Sequence, residues 1–183
     1  MKHLLQRGLA YYIDCIICFG AVMLILQWGI LSNIRDDIGI TDDWFRESWN
    51  MQLYVLTTIS LPTWLYFAMF DSNHSKGTLG KRLFKLSVLR SEDSNRISFG
   101  KSFGRTILKL LPWEVAHLGV IFPTPLYFAK EPEIQPMTYI GIALFGIYVL
   151  SILLSKTNQS IYDYLLKTRV VKSSRKAKSV NGV

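Results

Sequence analysis

Three stretches of this chain are too long and too apolar to serve as core segments of a water-soluble domain. Residues 9–34 carry a single charge, Asp14, and residues 51–70 and 138–154 carry none. A helix needs about 20 mostly apolar residues to cross the hydrocarbon of a bilayer, and these runs approach or exceed that length. Pro62 falls within the second run, a placement that membrane helices tolerate when neighbours satisfy the freed carbonyl. The first run is longer than a signal-peptide core and no small-x-small cleavage site follows it, so it is expected to stay as an anchor. Only 19% of the 183 residues are charged, against about a quarter in a typical soluble domain.

A fourth apolar stretch, residues 107–129, is more polar. It contains Lys109, Glu114, His117 and three prolines, Pro112, Pro123 and Pro125. Loop charge argues that it crosses as well. Residues 33–50 have a net charge of −3 and residues 130–137 of −1, whereas residues 71–106 carry +5 and residues 155–183 carry +6. Short loops rich in Lys and Arg stay in the cytoplasm. That rule puts the second loop and the tail inside, which requires an even number of crossings between them. The expectation is a single domain over residues 1–183, all-α in the membrane, with four spans at 9–34, 51–70, 107–129 and 138–154. Both termini then lie on the inner side of a cytoplasmic membrane. Trp28, Trp44, Trp49 and Tyr54 fall near the outer ends of the first two spans, where amphipathic rings favour the headgroup level.

The loop at 71–106 is patterned. Ser75–Lys81 reads as a turn with two glycines and Leu86–Arg90 as a short strand. Thr168–Val171 is a second strand-like piece, and the two are expected to pair into a small cytoplasmic ribbon. Ser98 is a candidate N-cap for an interfacial helix over residues 99–111 that leads into the third span.

Residues seven apart on a helix lie within about 20° of one another, so Arg7, Tyr11, Asp14 and Cys18 form one stripe. Ionisable groups in a membrane face the bundle interior and pair. Asp14 is therefore either one end of a structural ion pair or a proton or cation site. Glu114 and His117, three apart, share a helix face. They form a polar helix contact, a proton relay or a metal or cation site. Cys15 and Cys18 are expected as packing residues. Lys81, Arg82, Arg105 and Lys109, with Arg175, Lys176 and Lys178 in the basic tail at 172–183, are placed against anionic lipid headgroups. Gly77-Thr-Leu-Gly-Lys81 is too short for a P-loop. No hydrolase triad, metal-ligand set or cofactor motif is visible, so neither an enzyme nor a cofactor is expected. The basic residues are accounted for by topology without nucleic acid.

Several segments, taken in order, resemble the RDD family of membrane proteins, named for one arginine and two aspartates. Arg7-Gly-Leu-Ala-Tyr-Tyr-Ile-Asp14 is similar to that family's opening motif. Gly77-Thr-Leu-Gly-Lys-Arg82 with Leu86-Ser-Val-Leu89 resembles its glycine segment and strand. Arg105 and Pro112-Trp-Glu-Val-Ala-His117 resemble a motif of some members, and Asp163 with Thr168-Arg-Val-Val171 resembles its close. By that match the name-giving residues are Arg7, Asp14 and Asp163. Tyr162 stands where many members have His. The resemblance implies a bacterial membrane protein and, by analogy with some members, sodium–proton exchange. The expected function is ion movement using Asp14 and Glu114, with Arg7 and Asp163 as a charge-balancing pair, in a homo-oligomer. The competing expectation is a scaffold or accessory subunit that docks a membrane partner or lipid.

Overall fold

The structure, a computed structural model, describes residues 2–131 and 133–172. The basic residues proposed for lipid contact in the tail, Arg175, Lys176 and Lys178, lie outside the described residues. Helix α1 (Lys2–Ala21) is prolonged by a π-helical stretch, Val22–Leu31, and a last turn, Ser32–Ile34. Helix α2 (Ser48–Asp71) returns. The short helix α3 (Leu79–Leu83) and strand β1 (Leu86–Arg90) follow. Helix α4 (Phe99–Ile121), helix α5 (Pro136–Leu154), the single-turn α6 (Ile161–Leu165) and strand β2 (Thr168–Lys172) complete the fold.

Three helical stretches are long and apolar enough to cross a membrane: Leu4–Ile34, Ser48–Asp71 and Pro136–Leu154. The fourth expected span is altered. Instead of an interfacial helix at 99–111 and a separate crossing at 107–129, one unbroken helix runs from Phe99 to Ile121. Lys101, Arg105, Lys109 and Glu114 make it too charged to qualify by composition. Ser98 does sit at its N-cap, its side chain accepting from the Lys101 amide.

Both prolines inside helices are compensated locally. The helix widens into a π-helical turn, Leu56–Ser60, just ahead of Pro62; such turns absorb a broken i→i−4 ladder. Pro112 cannot donate to the Leu108 carbonyl one turn back. That carbonyl instead accepts from the Tyr148 hydroxyl on α5 at 2.8 Å, so the missing backbone bond becomes an interhelical one. Helices α4 and α5 approach closely because a glycine stands at the crossing. A Cβ on Gly141 would lie 2.6 Å from the Pro112 carbonyl oxygen. Small residues at helix crossings are how membrane helices gain packing contact.

The ribbon forms as an antiparallel pair with Leu86 opposite Lys172 and Arg90 opposite Thr168. The period-2 alternation of a strand turns Leu86, Val88 and Val170 to one face, where they pack with Ile97 against Ala10 of α1. The ribbon is thus seated on the first helix rather than hanging free. Helix α6 is stopped into place by a capping box: Ser160 accepts from the Asp163 amide and the Asp163 side chain accepts from the Ser160 amide. Ser160→Ala removes one half of that box and should cost about 1 kcal/mol, read as a small drop in melting temperature of the detergent-purified protein.

Candidate functional site

The polar residues of the first helix turn inward at the end where the ribbon docks. Asp14 is fully buried. Its Oδ1 accepts from the Tyr66 hydroxyl at 3.0 Å and from the Gly80 amide at 2.7 Å, and its Oδ2 from the Thr78 hydroxyl at 2.5 Å. No cation pairs with it among the described residues. The carboxylate of one membrane helix therefore holds the first turn of α3, and the glycine segment owes its residue types to this contact. Thr78 supplies a hydroxyl, and Gly77 takes a positive φ of 108° that suits glycine. Gly80 leaves room for the backbone of Ala10.

Beside Asp14 runs a chain of ion pairs. Arg7 donates to Asp163 Oδ2 at 2.7 Å and also to the Asn158 carbonyl. Arg105 donates to Asp163 Oδ1 through both Nε, at 2.8 Å, and Nη2, at 2.7 Å. It reaches Asp71 Oδ2 through Nη1 at 3.2 Å. Lys81 closes the far end on Asp71 at 2.5 Å. The order Arg7–Asp163–Arg105–Asp71–Lys81 ties together α1, α6, α4, α2 and α3. Burial alone would raise the Asp163 carboxyl, but the guanidiniums of Arg105 and Arg7 overcome it and hold its pKa at about 2. Burial pushes the Lys81 ammonium below its ordinary range, with Asp71 acting against the shift.

This geometry corrects the placement of two lipid-contact residues. Lys81 and Arg105 were expected at headgroups on the loop surface, yet both are buried because carboxylates from other elements claim them. Arg82 stays exposed; it donates to the Gly77 carbonyl at 2.8 Å and to Ser75 at 2.7 Å. The Lys109 ammonium lies 3.2 Å from the centre of the Phe67 ring and 4.8 Å from that of Tyr11. Asp71 was read only as a loop charge, and its signal was its place at the end of the second apolar run. Thr78 lies in the glycine segment that the family resemblance picks out, whereas Tyr66 carries no signal beside its neighbours.

A model of the RDD family matches residues 1–167. The chain belongs to the RDD family. It is also 27% identical over 123 residues to a Bacillus subtilis (strain 168) protein titled "Uncharacterized protein YxaI", a match spanning 63% of this chain and 80% of that one. No solved structure matches it. In this RDD protein Arg7 and Asp163 form a direct ion pair, while Asp14 accepts hydrogen bonds from Tyr66, Thr78 and Gly80.

Glu114 and His117 stand apart from that cluster. They line a cavity of about 390 Å³ with Cys15, Cys18, Ser60 and Thr63. Glu114 accepts from Ser60 at 3.0 Å, and His117 Nδ1 is buried with no hydrogen-bond partner among the described residues. Cys18 donates weakly to Thr63 at 3.5 Å. No group of three metal-ligating side chains is assembled among the described residues.

Proposed function

We propose that this RDD protein crosses the cytoplasmic membrane four times with both termini inside, and that it moves protons or sodium by way of Glu114 and His117. The observation that supports the ion-moving reading is the cavity itself. It places a carboxylate with one neutral partner and an imidazole with an unpartnered nitrogen between α1, α2 and α4. Intramembrane ionisable groups are costly unless they serve a pathway or a pair, and Glu114 has no cationic partner among the described residues. The crossing of α4 is supported by where its charges face: Arg105 is buried, and Lys109 and Glu114 are half-buried against neighbouring helices.

Asp14 takes a different part from Glu114. Both its oxygens are saturated by neutral donors, so it acts in this reading as an anchor for the glycine segment. In sealed proteoliposomes, sodium- and proton-coupled flux is expected from the wild type. Glu114→Gln should reduce it to the level of empty vesicles. Asp14→Asn should leave it in place, because an asparagine keeps the Oδ1 acceptor for Tyr66 and Gly80 and can donate to the Thr78 hydroxyl. Flux unchanged in Glu114→Gln would remove that residue from the path. A well-folded wild type with no flux would favour the second reading, a scaffold, which the saturation of Asp14 and the closed ion-pair chain support.

A further inference from the structure

The ion-pair chain borders a separate cavity of about 140 Å³, and its walls are chemically divided. One wall carries Arg7, Lys81, Arg105 and Lys109, with Asp14 among them. The other is the inner half of α5, with Phe145, Val149 and Ile152. Helices α1 and α5 both line it yet make no substantial contact with each other, so the cavity occupies the seam between two membrane-crossing helices.

The charges around this cavity do not cancel. Four cations meet three carboxylates, Asp14, Asp71 and Asp163, and Asp14 gives its oxygens to neutral donors. Asp163 and Asp71 are shared among Arg7, Arg105 and Lys81. Lys109 is left with two aromatic faces and no ion pair among the described residues. An ammonium half-buried among aromatic rings gains from an anionic or hydrogen-bonding partner that offsets its desolvation. The space beside it holds several water volumes, a water taking about 30 Å³ in the liquid.

We propose that this seam binds the phosphate of an anionic phospholipid, with Lys109, the cation left outside the ion-pair chain, as the donor that contacts it. Basic pockets between membrane helices on the cytoplasmic side suit phosphate headgroups, and a phosphate is a strong multidentate acceptor for ammonium donors. The apolar α5 wall favours a lipid over free phosphate, because acyl chains can continue along it. The site shares Tyr11 with the Glu114–His117 cavity but contains neither Glu114 nor His117, so its test reads binding and not flux.

Two variants test it in the full chain purified in neutral detergent, with binding of phosphatidylglycerol, phosphatidylcholine and inorganic phosphate compared. Lys109→Met removes the donor. Gly8→Phe fills the seam instead: Gly8 lines the cavity, and a Cβ there meets nothing within 4 Å, so the ion pairs stay untouched. The wild type should prefer phosphatidylglycerol over phosphatidylcholine. Each variant should weaken that binding by about fivefold to tenfold, and Lys109→Arg should restore it. Equal affinity for both lipids, or full affinity retained in Gly8→Phe, overturns the proposal. Saturable binding of inorganic phosphate without lipid preference overturns the lipid as the source and leaves a free-anion site.

Discussion

Asp163→Asn should lower the melting temperature of the detergent-purified protein by about 10 °C, which corresponds to a loss of about 3–5 kcal/mol. The size follows from position rather than from the number of ion pairs. Exposed pairs such as Lys167–Glu92 contribute at most about 1 kcal/mol. Asp163 is fully buried, and it accepts from two guanidiniums, Arg7 and Arg105, at 2.7 Å each. Removing its charge leaves Arg7 with only carbonyl acceptance from Asn158 and leaves Arg105 leaning on Asp71 alone. Two cations are then under-compensated away from water, which costs far more than the pair contributes over an apolar substitute. Lys167→Gln, outside this chain of pairs, should change the melting temperature by less than 2–3 °C or so. Equal and small shifts for both variants would mean that the buried cluster carries no special share of the stability.

The same residue sets an acid limit. The folded pKa of Asp163, about 2, lies below the ordinary carboxylate value of about 3.9. A depressed folded pKa contributes stability that is fully present above the unfolded value and is lost as pH falls through the folded one. The window therefore runs from about pH 4 down to about pH 2, and the contribution lost across it is of order 2 kcal/mol. A pH titration of thermal stability should show a larger step over this window in the wild type than in Asp163→Asn.

How much of this was legible in the sequence differs by level. The three most apolar helices and the ribbon were readable because each obeys a strong periodic or length signal. Leu86–Arg90 forms as expected, and Thr168–Lys172 runs one residue beyond the expected end. Of the Arg7, Tyr11, Asp14 and Cys18 stripe, Arg7, Asp14 and Cys18 are buried and Tyr11 is half-buried. Beyond Arg7 with Asp163, which the structure pairs, the pairing was not readable, because it depends on which loop folds back onto which helix. Lys81 looks from sequence like a solvated loop cation. It is buried because α3 docks on α1 and carries it to Asp71, ten residues earlier in the chain. The continuity of α4 was hidden by Pro112. A proline normally argues for a break, and only the Tyr148 hydroxyl from a distant helix makes the unbroken helix tolerable.

Gly80→Ala should be at least as damaging as the loss of Asp163, although it adds one methyl group and removes no charge. An ideal Cβ at Gly80 would fall 2.1 Å from the Ala10 carbonyl oxygen and 3.0 Å from Asp14 Cγ. The obstructing atoms are mostly backbone of α1, which cannot swing aside as a side chain would. The first turn of α3 must lift, and it carries with it both the Gly80 amide and the Thr78 hydroxyl that satisfy Asp14. A buried carboxylate would then keep only Tyr66, and unsatisfied buried groups cost about 1–3 kcal/mol each, more when charged. Lys81 is the next residue, so the same displacement pulls it from Asp71 and loosens the chain of ion pairs from its other end. Asp14→Asn, which keeps the shape and two of the three acceptances, should by contrast cost only about 1–2 kcal/mol. The comparison is best read as protease sensitivity of the 71–98 loop together with melting temperature. Gly80→Ala should expose the loop to cleavage and melt early, while Asp14→Asn should stay close to wild type in both. If Gly80→Ala is as protected as the wild type, the glycine segment is not held by α1, and the anchoring role assigned to Asp14 fails with it.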